Sequence, residues 1–142
     1  MKFFKKYYQD IANCIQRLDE QKINLIYKMI KNTSKKGGII YIAGNGGNAS
    51  TSSHMSTDLT KNAKIKSMSF NDANLITCFA NDYGYENWLK AAIKYYVKAN
   101  DLVVLLSVSG KSKNLINAAN FCKKKKIKFI TITGAKKNNP LS

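Results

Sequence analysis

The sequence predicts an α/β fold: a three-layer α/β/α sandwich around a parallel sheet, with a helical tract at its N-terminus. Two observations carry this. Short apolar runs of strand length, Ile39 to Ala43, Leu102 to Ser107 and Ile127 to Thr133, alternate with stretches of helical character, the pattern of strands buried on both faces. Two of the runs end in polar, glycine-containing loops that flow directly into helix-like sequence. In open parallel sheets, ligands bind beyond the carboxyl ends of the strands, and both loops fall there.

Taken in order, the chain opens with Phe4, Tyr8, Ile11, Cys14, Ile15 and Leu18 at three- and four-residue steps. Ile23, Ile26, Met29 and Ile30 continue the stripe. The aromatic-rich face of this tract is read as core or as a contact between protomers, an exposed face favouring oligomers. Lys35-Lys36-Gly37-Gly38 breaks the pattern before the first strand. Beyond Gly44-Asn45-Gly46-Gly47-Asn48 a polar helix carries His54 and Asp58. Lys64 to Phe70 alternates as a strand, Asn74 to Ala80 reads as a short helix, and Glu86 to Ala99 as a longer one with Trp88, Leu89, Ile93 and Tyr96 inward. At 142 residues the chain is expected to form one domain, with residues 1–35 as N-terminal helices and 38–134 as the parallel core.

Composition limits the function classes. There are 24 basic residues against 8 acidic ones, a formal charge of +16, and this raises the possibility of a nucleic-acid partner. Against it, Arg17 is the single arginine, so the bidentate forks that read guanine or clamp phosphate are nearly absent. Lys123 to Lys126 reads as a solvated helix face. Nucleic acid is therefore disfavoured, although the lysine excess would still concentrate phosphorylated metabolites. Cys14, Cys78 and Cys122 are widely spaced, which suggests neither a disulfide framework nor a cysteine metal site, and a reducing cytoplasm is expected. No run approaches the roughly 18 apolar residues of a membrane span, so a soluble protein is expected.

The loop Ser107-Val108-Ser109-Gly110-Lys111-Ser112-Lys113-Asn114 has the makings of an anion cradle. Its glycine permits a tight turn, and hydroxyls join the free N–H groups that open the next helix, so a phosphate is the natural occupant. A turn rich in capping residues is the alternative. The first loop ends in neither the Lys-Ser/Thr of a Walker A loop nor G-x-G-x-x-G. Asn45 and Asn48 suit sugar hydroxyls, or equally the stabilisation of positive φ. His54 and Asp58, four apart, share a helix face, where they could hold a metal, shuttle protons or form a simple ion pair.

Four motifs in order, Gly44-Asn45-Gly46-Gly47-Asn48-Ala49, His54-x-x-x-Asp58-Leu59, Asn81-Asp82-Tyr83-Gly84-Tyr85 and Ser107 to Asn114, resemble those of sugar isomerase (SIS) domains, and among these most nearly the phosphoheptose isomerase family. The resemblance implies the flavodoxin-like SIS fold and an aldose–ketose isomerase acting on sedoheptulose 7-phosphate in heptose biosynthesis. It implies a homotetramer packed through the N-terminal helices. Ser107, Ser109 and Ser112 match the phosphate loop, Asn45, Gly46, Gly47 and Asn48 the first substrate loop (with serine usual at the position of Asn48), and Asp82 an aspartate at the substrate. His54 matches a zinc-binding histidine, and Asp58 falls where the family has a glutamate that binds the metal and acts as acid/base. The family continues with a strand and helix that supply a glutamine and a second metal-binding histidine. Ending at Ser142, the sequence is expected to be a truncated record of a longer chain or a binding protein without turnover. A non-catalytic sugar-phosphate-binding module and a DNA-replication-associated SIS adaptor are the alternative functions.

Overall fold

A computed structural model describes residues 2–134 and 138–141 of the chain. Its elements run α1 (Lys2–Gln16), α2 (Glu20–Lys35), β1 (Ile40–Gly44), α3 (Gly47–Lys61), β2 (Ser67–Ser69), α4 (Ala73–Tyr83), α5 (Trp88–Tyr96), β3 (Leu102–Ser107), α6 (Lys113–Lys124) and β4 (Lys128–Thr133). The four strands are all parallel and lie in the order β2-β1-β3-β4. This is the doubly wound arrangement that the alternating strand and helix patterns predict.

The strands separate two apolar layers because successive side chains point to opposite faces. Tyr41, Ala43, Val103 and Leu105 join one cluster with Trp88, Leu89, Ala92 and Ile93 of α5 and Leu115, Ala118 and Cys122 of α6. Ile40, Ile42, Leu102, Val104 and Leu106 form the other, closed by Ile26, Met29 and Ile30 of α2 and Met55 and Leu59 of α3. Thus α2 and α3 cover one face and α4, α5 and α6 the other, which is the expected three-layer sandwich. β1 and β3 are buried along their whole length, in keeping with their continuous apolar sequence, whereas β2 and β4 form the edges.

At the amino end of the sheet, buried Asp101 accepts from the Ile39 N–H at 2.8 Å and the Lys98 N–H at 2.7 Å, tying the start of β1 to the turn before β3. This fixes the register in which Ile40 faces Leu102 and Gly44 faces Leu106. At the carboxyl end, α3 comes so close to Gly44 that a Cβ there would lie 2.6 Å from that of Asn48. Only glycine lets the helix begin this near the strand.

Two sequence expectations are corrected and one open alternative is narrowed. The strand expected over Lys64 to Phe70 shrinks to Ser67–Ser69, because Lys64 adopts φ 58° and the chain is still turning out of α3. The helix expected over Glu86 to Ala99 is confined to Trp88–Tyr96, and Tyr96, expected inward, is 42% exposed at its last position, touching Phe70 edge-on. The aromatic face of α1 is not core of this chain, since the helix buries no residue and Phe3, Phe4, Tyr7 and Tyr8 face outward. No helix among the described residues is long and apolar enough to cross a membrane.

Candidate functional site

The order β2-β1-β3-β4 places the reversal of winding between β1 and β3, where the connections diverge to opposite faces and leave a crevice. A cavity of about 320 Å³ opens there, lined by Asn45, Gly47, Asn48, Leu106, Ser107, Val108, Ser109 and Ser112. The two loops singled out in the sequence, with Asn45 and Ser107 lying 62 positions apart, therefore line one cavity.

Two helices start on this cavity. Gly46 caps α3 and Ser112 caps α6, and neither cap satisfies the helix with its own side chain. Among the described residues the N–H groups of Gly47, Lys113 and Asn114 have no intramolecular partner, so donors remain free at both helix openings. The positive ends of two helix dipoles meet at one place, an electrostatic arrangement suited to a phosphate. Within the second loop, the buried Ser107 hydroxyl accepts from the Gly110 N–H at 3.0 Å and the exposed Ser109 hydroxyl from the Lys111 N–H at 3.2 Å. These bonds fold the loop back over the end of β3. Gly110 sits at φ 64°, and a Cβ there would collide with the side chain of Asn139. The turn requires glycine on both counts.

The first loop is held by residues to which the sequence reading gave no role. Asn45 and Asn114 exchange two amide hydrogen bonds, Asn45 Nδ2 to Asn114 Oδ1 and Asn114 Nδ2 to Asn45 Oδ1, each 2.9 Å long. Asn114 is 2% exposed, and this reciprocal pair stitches the β1 loop to α6 across the crevice. The Tyr85 hydroxyl donates to Asn45 Oδ1 at 3.4 Å, bringing the segment after α4 to the same rim. The available signal was the asparagine that ends the serine-rich loop, Ser112-Lys113-Asn114: one residue inside a helix start, it is poorly placed to cap and free to reach elsewhere. Asp82 does not line the cavity. It lies in the last turn of α4, exposed, accepting from Asn81 Nδ2 at 3.0 Å. Gly46 forms the turn behind the cavity and does not line it.

His54 and Asp58 stand further along α3. His54 Nε2 lies 3.3 Å from Asp58 Oδ2, and Asn62 Nδ2 donates to Asp58 Oδ1 at 3.1 Å. Both side chains are open to solvent, 81% and 51% exposed, in an open depression also lined by Thr51, Met55 and Leu59. Gly47, Thr51, His54 and Asp58 follow three- and four-residue steps, so one stripe of α3 runs from the cavity to this pair. At 1.5 Å per residue, the seven positions from Gly47 to His54 amount to about 10 Å. The separation of the two donor atoms fits a tetrahedral zinc shell, whose adjacent ligands, at bonds of about 2.0–2.2 Å, stand roughly 3.4 Å apart. No group of three or more His, Cys, Asp or Glu able to hold a metal occurs among the described residues.

Comparison with known proteins places this architecture. The SIS domain family matches residues 4–134. The phosphoheptose isomerase of Haemophilus ducreyi is 34% identical over 136 residues, covering 89% of this chain and 70% of that protein. That of Helicobacter pylori is 32% identical over 136 residues, covering 90% of this chain and 69% of that protein. The structure of phosphoheptose isomerase from Neisseria gonorrhoeae superposes with a TM-score of 0.87 at 22% identity, covering 99% of this chain and 75% of that one, a likeness of fold. By the family match and the identity to these relatives, the protein belongs to the SIS domain family and, within it, to the phosphoheptose isomerases.

Proposed function

We propose that the chain interconverts sedoheptulose 7-phosphate and D-glycero-D-manno-heptose 7-phosphate, an aldose–ketose isomerisation. The observation that carries this reading is the placement, along one stripe of α3, of an anion cavity at one end and the His54/Asp58 pair about 10 Å away. An extended seven-carbon sugar phosphate anchored by its phosphate has its carbonyl end at a comparable distance.

In this reading the free N–H groups of Gly47, Lys113 and Asn114, with the hydroxyls of Ser109 and Ser112, take the phosphate, while Ser107 holds the loop in shape. Asn48 and the Asn45 amide stand where the middle hydroxyls would pass, and Asp82 would approach substrate from the rim near Tyr85. Asp58 is the base: its carboxylate removes a proton from C1 of the ketose, giving the enediol, and returns one to C2 as a proton passes from O1 to O2, leaving the aldehyde at C1. A positioned carboxylate of this kind contributes about 10²–10⁴-fold. His54 and Asp58 would hold a zinc ion, which when bound supplies positive charge to stabilise the oxygen anion of the enediolate. Its remaining ligands would come from outside the described residues.

A binding module without turnover is the second reading, favoured by the exposure of both side chains of the pair and by aspartate in place of the family's longer glutamate. A misplacement of about 1 Å costs on the order of a hundredfold in rate. Assay of the full-length natural chain with zinc and sedoheptulose 7-phosphate separates the two. Aldose formation is expected, lost in Asp58→Asn, whereas protection against unfolding without product would establish the module. For the assembly, we read the outward aromatic face of α1 as the contact of a homotetramer, and the cytoplasm as the site of action.

A further inference from the structure

We propose that the groove between α5 and α6 is a second ligand site that takes a nucleotide, with its phosphates on four lysines and its base in an adjoining aromatic lobe. The groove, about 590 Å³, shares no lining residue with the serine-loop cavity, and the inference is independent of the isomerase reading. Lys90 and Lys94 approach from α5, and Lys124 and Lys125 from the end of α6, with Asn120 and Phe121 between them. None of the four lysines has a carboxylate partner among the described residues. For Lys94 and Lys124, in the last turns of their helices, the negative dipole end is reason enough for a cation. Lys90 is different: it stands in the first turn of α5, where the same field opposes a positive charge. Its Nζ is held by Asn87 Oδ1 at 3.1 Å, which aims it rather than neutralises it.

The second observation is a smaller cavity of about 160 Å³ that shares Lys90, Lys94 and Phe121 with the groove and adds Tyr83, Ala91 and Tyr95. Phe79 contacts both tyrosine rings, tilted against Tyr83 at 5.6 Å and edge-on to Tyr95 at 6.0 Å. Lys94 Nζ lies 5.8 Å from the Tyr95 ring centre, joining the charged part to the aromatic one. Inorganic phosphate would leave the aromatic lobe empty, and an uncharged ring would leave the lysines unused. A planar base carrying two or more phosphates uses both.

The test is calorimetric titration of the full chain with ADP, and separately with pyrophosphate and adenosine as its two halves. ADP is expected to bind at least about tenfold more tightly than either half, to lose at least about tenfold in Lys90→Glu/Lys94→Glu and to resist competition by saturating sedoheptulose 7-phosphate. Tyr95→Leu, which leaves the lysines intact, should weaken ADP without altering pyrophosphate. No ADP binding, equal binding of ADP and pyrophosphate, unchanged ADP affinity in the folded charge-reversed variant, or displacement by the sugar phosphate would each overturn the proposal. Single-stranded RNA binding at low salt far more tightly than ADP would overturn it in favour of a nucleic-acid surface.

Discussion

The serine-loop cavity and the His54/Asp58 face share helix α3 but are built to different standards. Around the cavity, Ser107 and Asn114 are buried, the loop closes on its own hydroxyls, and a reciprocal amide pair locks one side of the crevice to the other. Two turns away, the pair lies in the open with one histidine–carboxylate contact and one amide donor. Under the proposed function, the difference teaches how the work would divide. Anchoring an anion takes fixed backbone dipoles, which a single chain sets by folding. Proton transfer takes a carboxylate shielded from water, and α3 alone does not shield one.

The largest expected effect sharpens this division from the chemical side. Asp58→Asn should lower kcat by about 10²–10⁴-fold while sugar-phosphate protection against thermal unfolding persists, because the anchor is untouched. Parallel loss of protection would break the division. Next, Ser109→Ala and Ser112→Ala should each raise KM by about 10- to 150-fold with kcat nearly constant, as expected for losing one hydrogen bond to a charged group of about 1.5–3 kcal/mol. An equal fall in kcat would show that the loop serves the transition state as well as binding. Asn114→Ala should cost about 1–3 kcal/mol of stability, since Asn45 loses both of its hydrogen bonds to Asn114 at a part-buried position and keeps only the Tyr85 hydroxyl, and a calorimetric or denaturant measurement reads it. An undiminished stability would mean the crevice is not locked by this pair.

The smallest effect concerns the scaffold under the cavity. Burial pushes the Cys122 thiol on α6 up to about 11 from an ordinary 9.0, whereas Cys14 and Cys78 are exposed. Labelling with a thiol reagent at neutral pH should modify Cys78 quickly and Cys122 only on unfolding, while the rate at Cys14, on the α1 stripe read as the protomer contact, reports whether that face is covered. The sign of the linkage follows: the neutral thiol is favoured in the fold, so its contribution is complete below pH 9.0 and is lost as pH rises through about 11. Rapid labelling of Cys122 would show that α6 opens as readily as the outer helices.

Much of this was legible before any tertiary information. β1 and β3 stood out because a strand covered on both faces must be apolar at every position, and the loops stood out because glycines, serines and asparagines cluster where each strand gives way to a helix. Edge strands give weaker signals. Ser67–Ser69 is short and half-exposed, so its pattern merged with the preceding turn, where Lys64 takes a positive φ that no periodicity reveals. Tyr96 was misassigned inward because helical spacing says which residues share a face and not where the helix stops. Asn114 and Tyr85 were missed as site residues because their partner, Asn45, lies 69 and 40 positions away.

The sequence by itself determined the parallel α/β class and the order of the motifs, and it offered the serine loop as a candidate anion cradle, all from neighbours a few residues apart. Only the tertiary structure decided that the two glycine loops face each other across the β1/β3 crevice, that Asn45 spends its amide on Asn114, and that the aromatic face of α1 is left outside the core. The physical reason is the same for all three. Strand order and helix packing bring together residues far apart in the chain, and the free energy of those contacts is recorded in no local pattern.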